Sequence, residues 1–330
     1  MKRSARLAYA ALLLALLLPQ LGLWDRTAPA SQRQEAAESP LPGTRADEPD
    51  RAPVPVPETV RLLDGGERIE LPMQDYLVGV LAGEMPVSFA PAALRAQAVA
   101  ARTYTLYCAS GPKHPGADLC SDPGCCQAWL GEEQLRRDWG EAYEERIRIL
   151  RAAVEDTAGE YLCYEGEPVF AAFHASSAGA TEDCGAVWNP RPYLISVPSP
   201  ESAAEVPHYV SRLVCAPLDF RDTLLSAHPE ADLSGEPESW LGPLEEDESG
   251  RVAICTLGGL RLRGTEIRKL FGLRSTAFTL TLEDEGFCFT VTGSGHGVGM
   301  SQYGAEVMAR NGADYREILA HYYPGTLLVR

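Results

Sequence analysis

Glu84 is the residue whose surroundings most favour acid chemistry in this 330-residue chain. It sits in LVGVLAGEMP, residues 77–86, where its neighbours are almost all apolar. Desolvation there raises a carboxyl pKa by disfavouring the charged form. Residues 74–84 read as a helix stopped by Pro86, so Glu84 falls at the C-terminal end. The negative end of the helix dipole pushes the pKa the same way. A carboxylic acid kept protonated near neutral pH is what cleavage of a glycosidic bond requires. The same features also describe a half-exposed glutamate at a helix end, and local sequence leaves both readings open. Arg102 lies in the following helix, beside its buried stripe. A guanidinium there orients the acid or meets substrate; the alternatives are a surface arginine or a structural ion pair.

A second group of reactive side chains is carried by residues 109–139, which read as a Cys-rich, loop-like insertion. His114, Cys120 and Cys126 recur at even spacing, and Cys125 stands outside that spacing. Three such side chains can supply zinc ligands. A disulfide is the competing reading. The chain has 9 cysteines, an odd number, so at least one is free, metal-bound or paired with another chain. A third candidate is GSGHGVGMSQYGA, residues 293–305. It lacks the GK[ST] ending of a phosphate loop. Its alternating glycines allow close backbone approach, and Ser301 is a good N-cap. His296 and Tyr303 are then candidates for a groove wall; the alternative is a tight crossover with His296 hydrogen-bonded inside.

The elements that must position these groups are mixed. A hairpin is expected from residues 59–63 and 68–71 around Asp64-Gly65-Gly66-Glu67. A helix over 92–108 is opened by Pro91, with Leu94, Ala98, Ala101, Thr105 and Cys108 on one stripe. Another helix is expected over 141–156. A second hairpin is expected from 161–164 and 169–174. Residues 196–250 read as irregular, with an acidic loop at 244–249. Strands follow over 252–256, 277–282 and 287–292, with helices over 264–271 and 301–311. Strands and helices without regular βαβ alternation predict an α+β fold.

Asp and Glu total 46 against 29 Lys and Arg, a formal charge of −17. That balance argues against nucleic-acid binding, which needs clustered cations. Lys2, Arg3 and Arg6 precede an apolar run over 7–24. It is about long enough to cross a bilayer core of roughly 30 Å. The positive-inside rule then places the remainder outside the cytoplasm. A cleaved signal peptide is the alternative, with Ala28-Pro29-Ala30 as its processing site. Residues 25–57 are rich in Pro, Ala and Glu and read as a disordered linker. Residues 58–330 form the folded catalytic region.

Three separated motifs carry a resemblance. GEMP at 83–86 is followed by FAPAALRAQAVAARTY at 89–104. FHASSAGATEDCGAVW at 173–188 is followed by Pro192-Tyr193-Leu194, and GSGHGVGMSQYGA comes last. In this order they resemble the stage II sporulation protein D family. The resemblance implies a membrane-anchored lytic transglycosylase of the sporulation engulfment machinery, with its α+β domain built around a substrate groove. Such an enzyme cuts the MurNAc–GlcNAc β-1,4 bond of peptidoglycan without water and leaves a 1,6-anhydro-MurNAc end. It implies peptide-stripped glycan strands as substrate. A partner amidase, stage II sporulation protein P, and other engulfment membrane proteins are the implied partners. Glu84 matches the family's catalytic acid and Arg102 an essential arginine. Ser176, Ser177, Thr181 and Tyr193 fall in the region that lines the family's groove. Some family members are similar in having a zinc site with the His114, Cys120, Cys126 spacing near the active site.

Two other function classes compete with this one. A non-catalytic wall-binding module would enhance a partner amidase without cutting glycan. A zinc hydrolase would need an accessible metal-bound water, and the chain shows no HExxH helix.

Overall fold

A computed structural model describes residues 54–330. The expected membrane segment and most of the linker lie outside these residues. No described helix is long and apolar enough to cross a membrane. The architecture is α+β, with several small sheets and many helices.

The first hairpin forms as expected, Thr59–Asp64 against Glu67–Pro72, with Asp64 opposite Glu67. Gly65 and Gly66 both take positive φ, 55° and 94°. That is the conformation a two-residue turn demands. Helix α1 runs over Met73–Glu84, and Met85 turns extended immediately before Pro86. Helix α2 spans Pro91–Ser110 with proline at its first turn. The expected stripe is buried, but so are most other faces: Ala93, Ala96, Val99, Ala100 and Thr103 are inaccessible. Apolar residues all round a helix make it central rather than amphipathic. Its alanines let α1 and three further helices pack around it, namely Tyr143–Asp156 and the two last helices of the chain.

The Cys-rich insertion is more ordered than its composition implies. Leu119–Cys120 pairs in parallel with Leu62–Leu63. Helix α3 occupies Glu132–Trp139, and a 3-10 turn leads into α4, Tyr143–Asp156. The second hairpin is shorter than expected. Tyr161–Tyr164 pairs with Glu167–Pro168 on one side and with Leu327–Val329 on the other. Phe173–His174 departs from it and pairs in parallel with Met300–Ser301. This crossover joins two of the three motifs.

Residues 184–187 form the short helix α5. The segment read as irregular contains the strand Val210–Cys215, helix α6 (Pro217–Ala227) and the strand Leu241–Glu246. The acidic stretch 244–249 is thus divided, strand through Glu246 and then a turn at 247–250. Strands Val252–Leu257 and Leu260–Arg263 lead into α7, Gly264–Phe271. Phe278–Glu283 and Gly286–Thr292 follow as an antiparallel pair. The chain ends with α8, Gln302–Arg310, capped by the Ser301 hydroxyl, with α9, Tyr315–Tyr322, and with Leu327–Val329.

Two main hydrophobic cores form among the described residues, beside a minor cluster of Leu106, Tyr161 and Cys163. The larger surrounds α1 and α2. The smaller gathers Phe220, Trp240, Phe287 and Phe289, with Phe220 and Phe287 stacked at 4.0 Å between centroids. Aromatic pairs of this kind contribute beyond the area they bury.

Candidate active site and metal cluster

A cleft of about 700 Å³ opens beside the end of α1. Glu84 lines it, and among the described residues around the cleft it is the only carboxylic acid. Burial raises its pKa above 4.5. Two donors oppose that shift and fix the carboxyl. The Ala128 backbone N–H donates to Oε1 at 2.8 Å, and the Gln302 side-chain amide donates to Oε2 at 3.1 Å. Neither donor was anticipated. Gln302 was hidden in plain view inside the glycine-rich motif, as the first residue of α8. Ala128 acts through its backbone, which no side-chain pattern marks.

The sequence of α1 explains how Ala128 arrives there. Gly79 and Gly83 lie one turn apart on the helix face that meets residues 128–130. A Cβ at Gly79 would stand 2.3 Å from Trp129 Nε1, and one at Gly83 would stand 3.2 Å from the Ala128 Cβ. The two glycines form a lane in which the insertion lies against the helix, and Leu130 N–H donates to the Gly79 carbonyl. Gln127, buried just before the lane, donates to Tyr76 and Thr105 hydroxyls.

Aromatic rings face Glu84 across the cleft. Trp188, Phe170, Tyr107 and His296 all line it. Trp188 is 42% exposed, large for a tryptophan amid packed neighbours. Its ring meets His296 at 4.7 Å and Phe170 edge-on at 5.3 Å. Arg191 lies over the Tyr107 and Phe170 rings and donates to the Tyr107 hydroxyl. A flat apolar face beside guanidinium and amide donors suits a sugar ring, which is apolar on its C–H face and polar at its rim. Trp188 stands in the second motif, but its exposure could not be read from sequence.

His296 lines the cleft. Burial, then the Arg268 charge, pushes its pKa down to about 3, so the imidazole is neutral at physiological pH. Its Nδ1 accepts from the Val298 N–H. The other predicted contacts lie behind the wall. Tyr193 is buried; its hydroxyl accepts from the Phe170 N–H and its ring packs on Tyr164. Ser177 shares a hydrogen bond with His174, which does line the cleft. Thr181 Oγ1 accepts from the Val197 N–H. Ser176 is buried and is bridged through its backbone to Ser294. Tyr303 packs edge-on against Phe89. These residues shape the groove without facing it.

Arg102 is not brought to Glu84. Its side chain is buried, with donors to the carbonyls of Glu160 at 2.9 Å and Val154 at 3.3 Å. Burial lowers its pKa to about 10, so it stays charged. The geometry makes it a tie between α2 and the junction after α4.

The expected metal ligands do converge. The ligand atoms of His114, Cys120, Cys125 and Cys126 lie within 4.8 Å of one another. Cys120 is fixed by its short strand. Cys125 and Cys126 emerge from a turn in which both their N–H groups donate to the Asp122 carbonyl. The sulfurs of Cys125 and Cys126 are 4.0 Å apart. A disulfide bond is about 2.05 Å. The cluster can hold a metal ion, and Cys125 and Cys126 also line the cleft.

The fold and site together define an α+β protein with one carboxylic acid set in an aromatic cleft beside a His/Cys cluster able to hold a metal ion. Residues 66–164 match the family described as Stage II sporulation protein. Stage II sporulation protein D of Bacillus amyloliquefaciens is 35% identical over 287 residues, covering 86% of this chain and 81% of the relative. Stage II sporulation protein D of Bacillus subtilis is 34% identical over 301 residues, covering 89% and 85%. A Bacillus subtilis protein named Amidase enhancer is 30% identical over 301 residues, but only 40% of its length is covered. The chain belongs to the stage II sporulation protein D family.

Proposed function

We propose that the chain is a lytic transglycosylase that cuts MurNAc–GlcNAc β-1,4 bonds in peptide-stripped peptidoglycan during sporulation. The single observation that carries this reading is Glu84: a desolvated carboxyl, held by two amide donors, with no second carboxylic acid among the described residues lining its cleft. Hydrolytic glycosidases need a carboxylate pair, one member to handle water or the nucleophilic step. An intramolecular route needs one acid.

In that route Glu84 protonates the glycosidic oxygen as the C1–O bond of MurNAc breaks. The ring takes on oxocarbenium character. The Glu84 carboxylate then accepts the proton of the C6 hydroxyl while O6 bonds to C1. The acid is regenerated and the 1,6-anhydro ring closes. The amide donors on Glu84 stabilise the carboxylate formed midway. Trp188 and Phe170 offer the faces against which sugar rings stack, and neutral His296 completes the wall. His114, Cys120 and Cys126 would hold zinc, the metal to which thiolate-rich sites of this kind are suited.

On this reading residues 7–24 anchor the chain in the cell membrane with the folded region extracytoplasmic, next to its wall substrate. A partner amidase, stage II sporulation protein P, strips the stem peptides first, and other engulfment membrane proteins are further partners of the chain. A second reading rests on the relative named Amidase enhancer: glycan binding without cleavage. Incubating the protein with peptide-stripped glycan strands and identifying the product ends by mass separates the two. Anhydro ends are expected; bound but uncut glycan favours the enhancer.

A further inference from the structure

The spacing of His114, Cys120 and Cys126 leaves one coordination position open, and the structure fills it. We propose that Cys125 is the fourth ligand, so that the protein coordinates the metal completely and the metal serves as a strut of the cleft wall. The inference rests on the cluster being a metal site and not on glycan cleavage.

The carrying observation is the set of donor separations. His114 Nε2 lies 3.5 Å from the Cys125 sulfur and 3.6 Å from the Cys126 sulfur, and the two sulfurs are 4.0 Å apart. A tetrahedral zinc with Zn–S near 2.3 Å and Zn–N near 2.0–2.1 Å has S···N edges of about 3.6 Å and S···S edges of about 3.8 Å. The three measured separations match the edges of one tetrahedral face, and the Cys120 sulfur closes the figure within 4.8 Å.

Backbone geometry makes the adjacent pair workable. Gly124 N–H donates to Asp122 Oδ1 at 2.8 Å, and the two cysteine N–H groups share the Asp122 carbonyl. The turn presents both sulfurs on one side. Three thiolates, a neutral imidazole and Zn²⁺ carry a net charge of −1. Lys113 is placed to offset it, with its ammonium on the Cys125 carbonyl at 3.1 Å. Cys108 approaches Cys126 from α2 but lies outside the cluster, which makes it the control thiol.

The consequence is functional. Structural zinc sites have four protein ligands, whereas catalytic ones keep a position open. A closed site has no place for substrate. It holds the turn that lies two residues before Ala128, the donor to Glu84.

Two measurements on the purified full-length protein loaded with zinc test this. X-ray absorption at the zinc edge is expected to count three sulfurs and one nitrogen; two sulfurs with two nitrogen or oxygen neighbours would overturn the proposal. Alkylation with iodoacetamide followed by peptide mapping reads Cys125 itself, which is partly exposed on the cleft. With zinc bound, Cys125 is expected to react at least about tenfold more slowly than after chelation, alongside Cys120 and Cys126. Rapid alkylation of Cys125 while zinc stays bound would overturn it, as would zinc-dependent protection of Cys108 in its place. Neither readout involves glycan, so each can fail while the transglycosylase reading stands, and the reverse.

Discussion

At the scale of single residues, the proposed reaction turns on the protonation state of Glu84. Its pKa is raised above the ordinary 4.5 chiefly by burial. The acid form is required, so kcat/KM falls as pH rises through the Glu84 pKa. Gln302 donates to the carboxylate and lowers that pKa. Gln302→Ala is therefore expected to move the alkaline limb of the kcat/KM profile to higher pH, by about one to two units for a lost hydrogen bond to a charged group. A limb that stays put would remove Gln302 from the site. Stability follows the same sign. A carboxyl whose folded pKa is raised binds more protons when folded, so stability declines as pH rises from the unfolded value through the folded one. Above that window Glu84→Gln is expected to melt no lower than wild type, which thermal unfolding at pH 8 checks. Trp188→Ala is expected to raise KM for glycan about tenfold with kcat less affected, since stacking on an aromatic face is of order 1–2 kcal/mol. An unchanged KM would remove the tryptophan from the sugar path.

At the scale of elements, Arg102 and the glycines of α1 show what the sequence could and could not disclose. The helix holding Glu84 and its stop at Pro86 follow from local rules, and so do the first hairpin and α2. The position of Arg102 also follows, but not the direction of its side chain. A guanidinium beside a buried stripe can point to a cleft or into the fold, and here the carbonyls of Val154 and Glu160 take it inward. Arg102→Ala would leave buried carbonyls without donors and a void in the main core. It is expected to cost about 2–4 kcal/mol in urea unfolding, with activity lost through the fold. An Arg102→Lys protein with full stability and no activity would instead place the guanidinium in catalysis. Ser177, Thr181 and Tyr193 repeat the lesson: motif membership located the wall, whereas burial decided which side of it each residue occupies. The lane of Gly79 and Gly83 had a visible spacing, but its partner lies in an insertion whose path is non-local. Gly79→Ala is expected to displace Trp129 and the Ala128 donor together, lowering kcat as well as Tm.

At the scale of the whole molecule, the cleft is assembled from distant stretches. The acid comes from the first helix, its donors from the insertion and the glycine-rich motif, and the aromatic wall from α2 (Tyr107), Phe170, the second motif (Trp188) and the glycine-rich motif (His296). The parallel pairing of Phe173–His174 with Met300–Ser301 stitches the last two together. Gly299 permits that crossover, because a Cβ there would stand 2.0 Å from the Ala172 carbonyl oxygen. Composition and periodicity do not predict a pairing across more than a hundred residues. The second core was missed for a related reason. Phe220, Trp240 and Phe287 are far apart in sequence and meet only as a stack. Removing the metal is expected to lower the melting temperature and loosen the insertion, with the second core unaffected; calorimetry before and after chelation reads this.

The decisive measurement is the chemistry of the product ends. Peptide-stripped glycan is incubated with the wild-type protein and with Glu84→Gln, and the released fragments are analysed by mass. Fragments ending in 1,6-anhydro-MurNAc from wild type, and none from Glu84→Gln at equal stability, are expected. Reducing ends from wild type, or anhydro ends from Glu84→Gln, would contradict the assignment of Glu84 as the sole acid of an anhydro-forming enzyme.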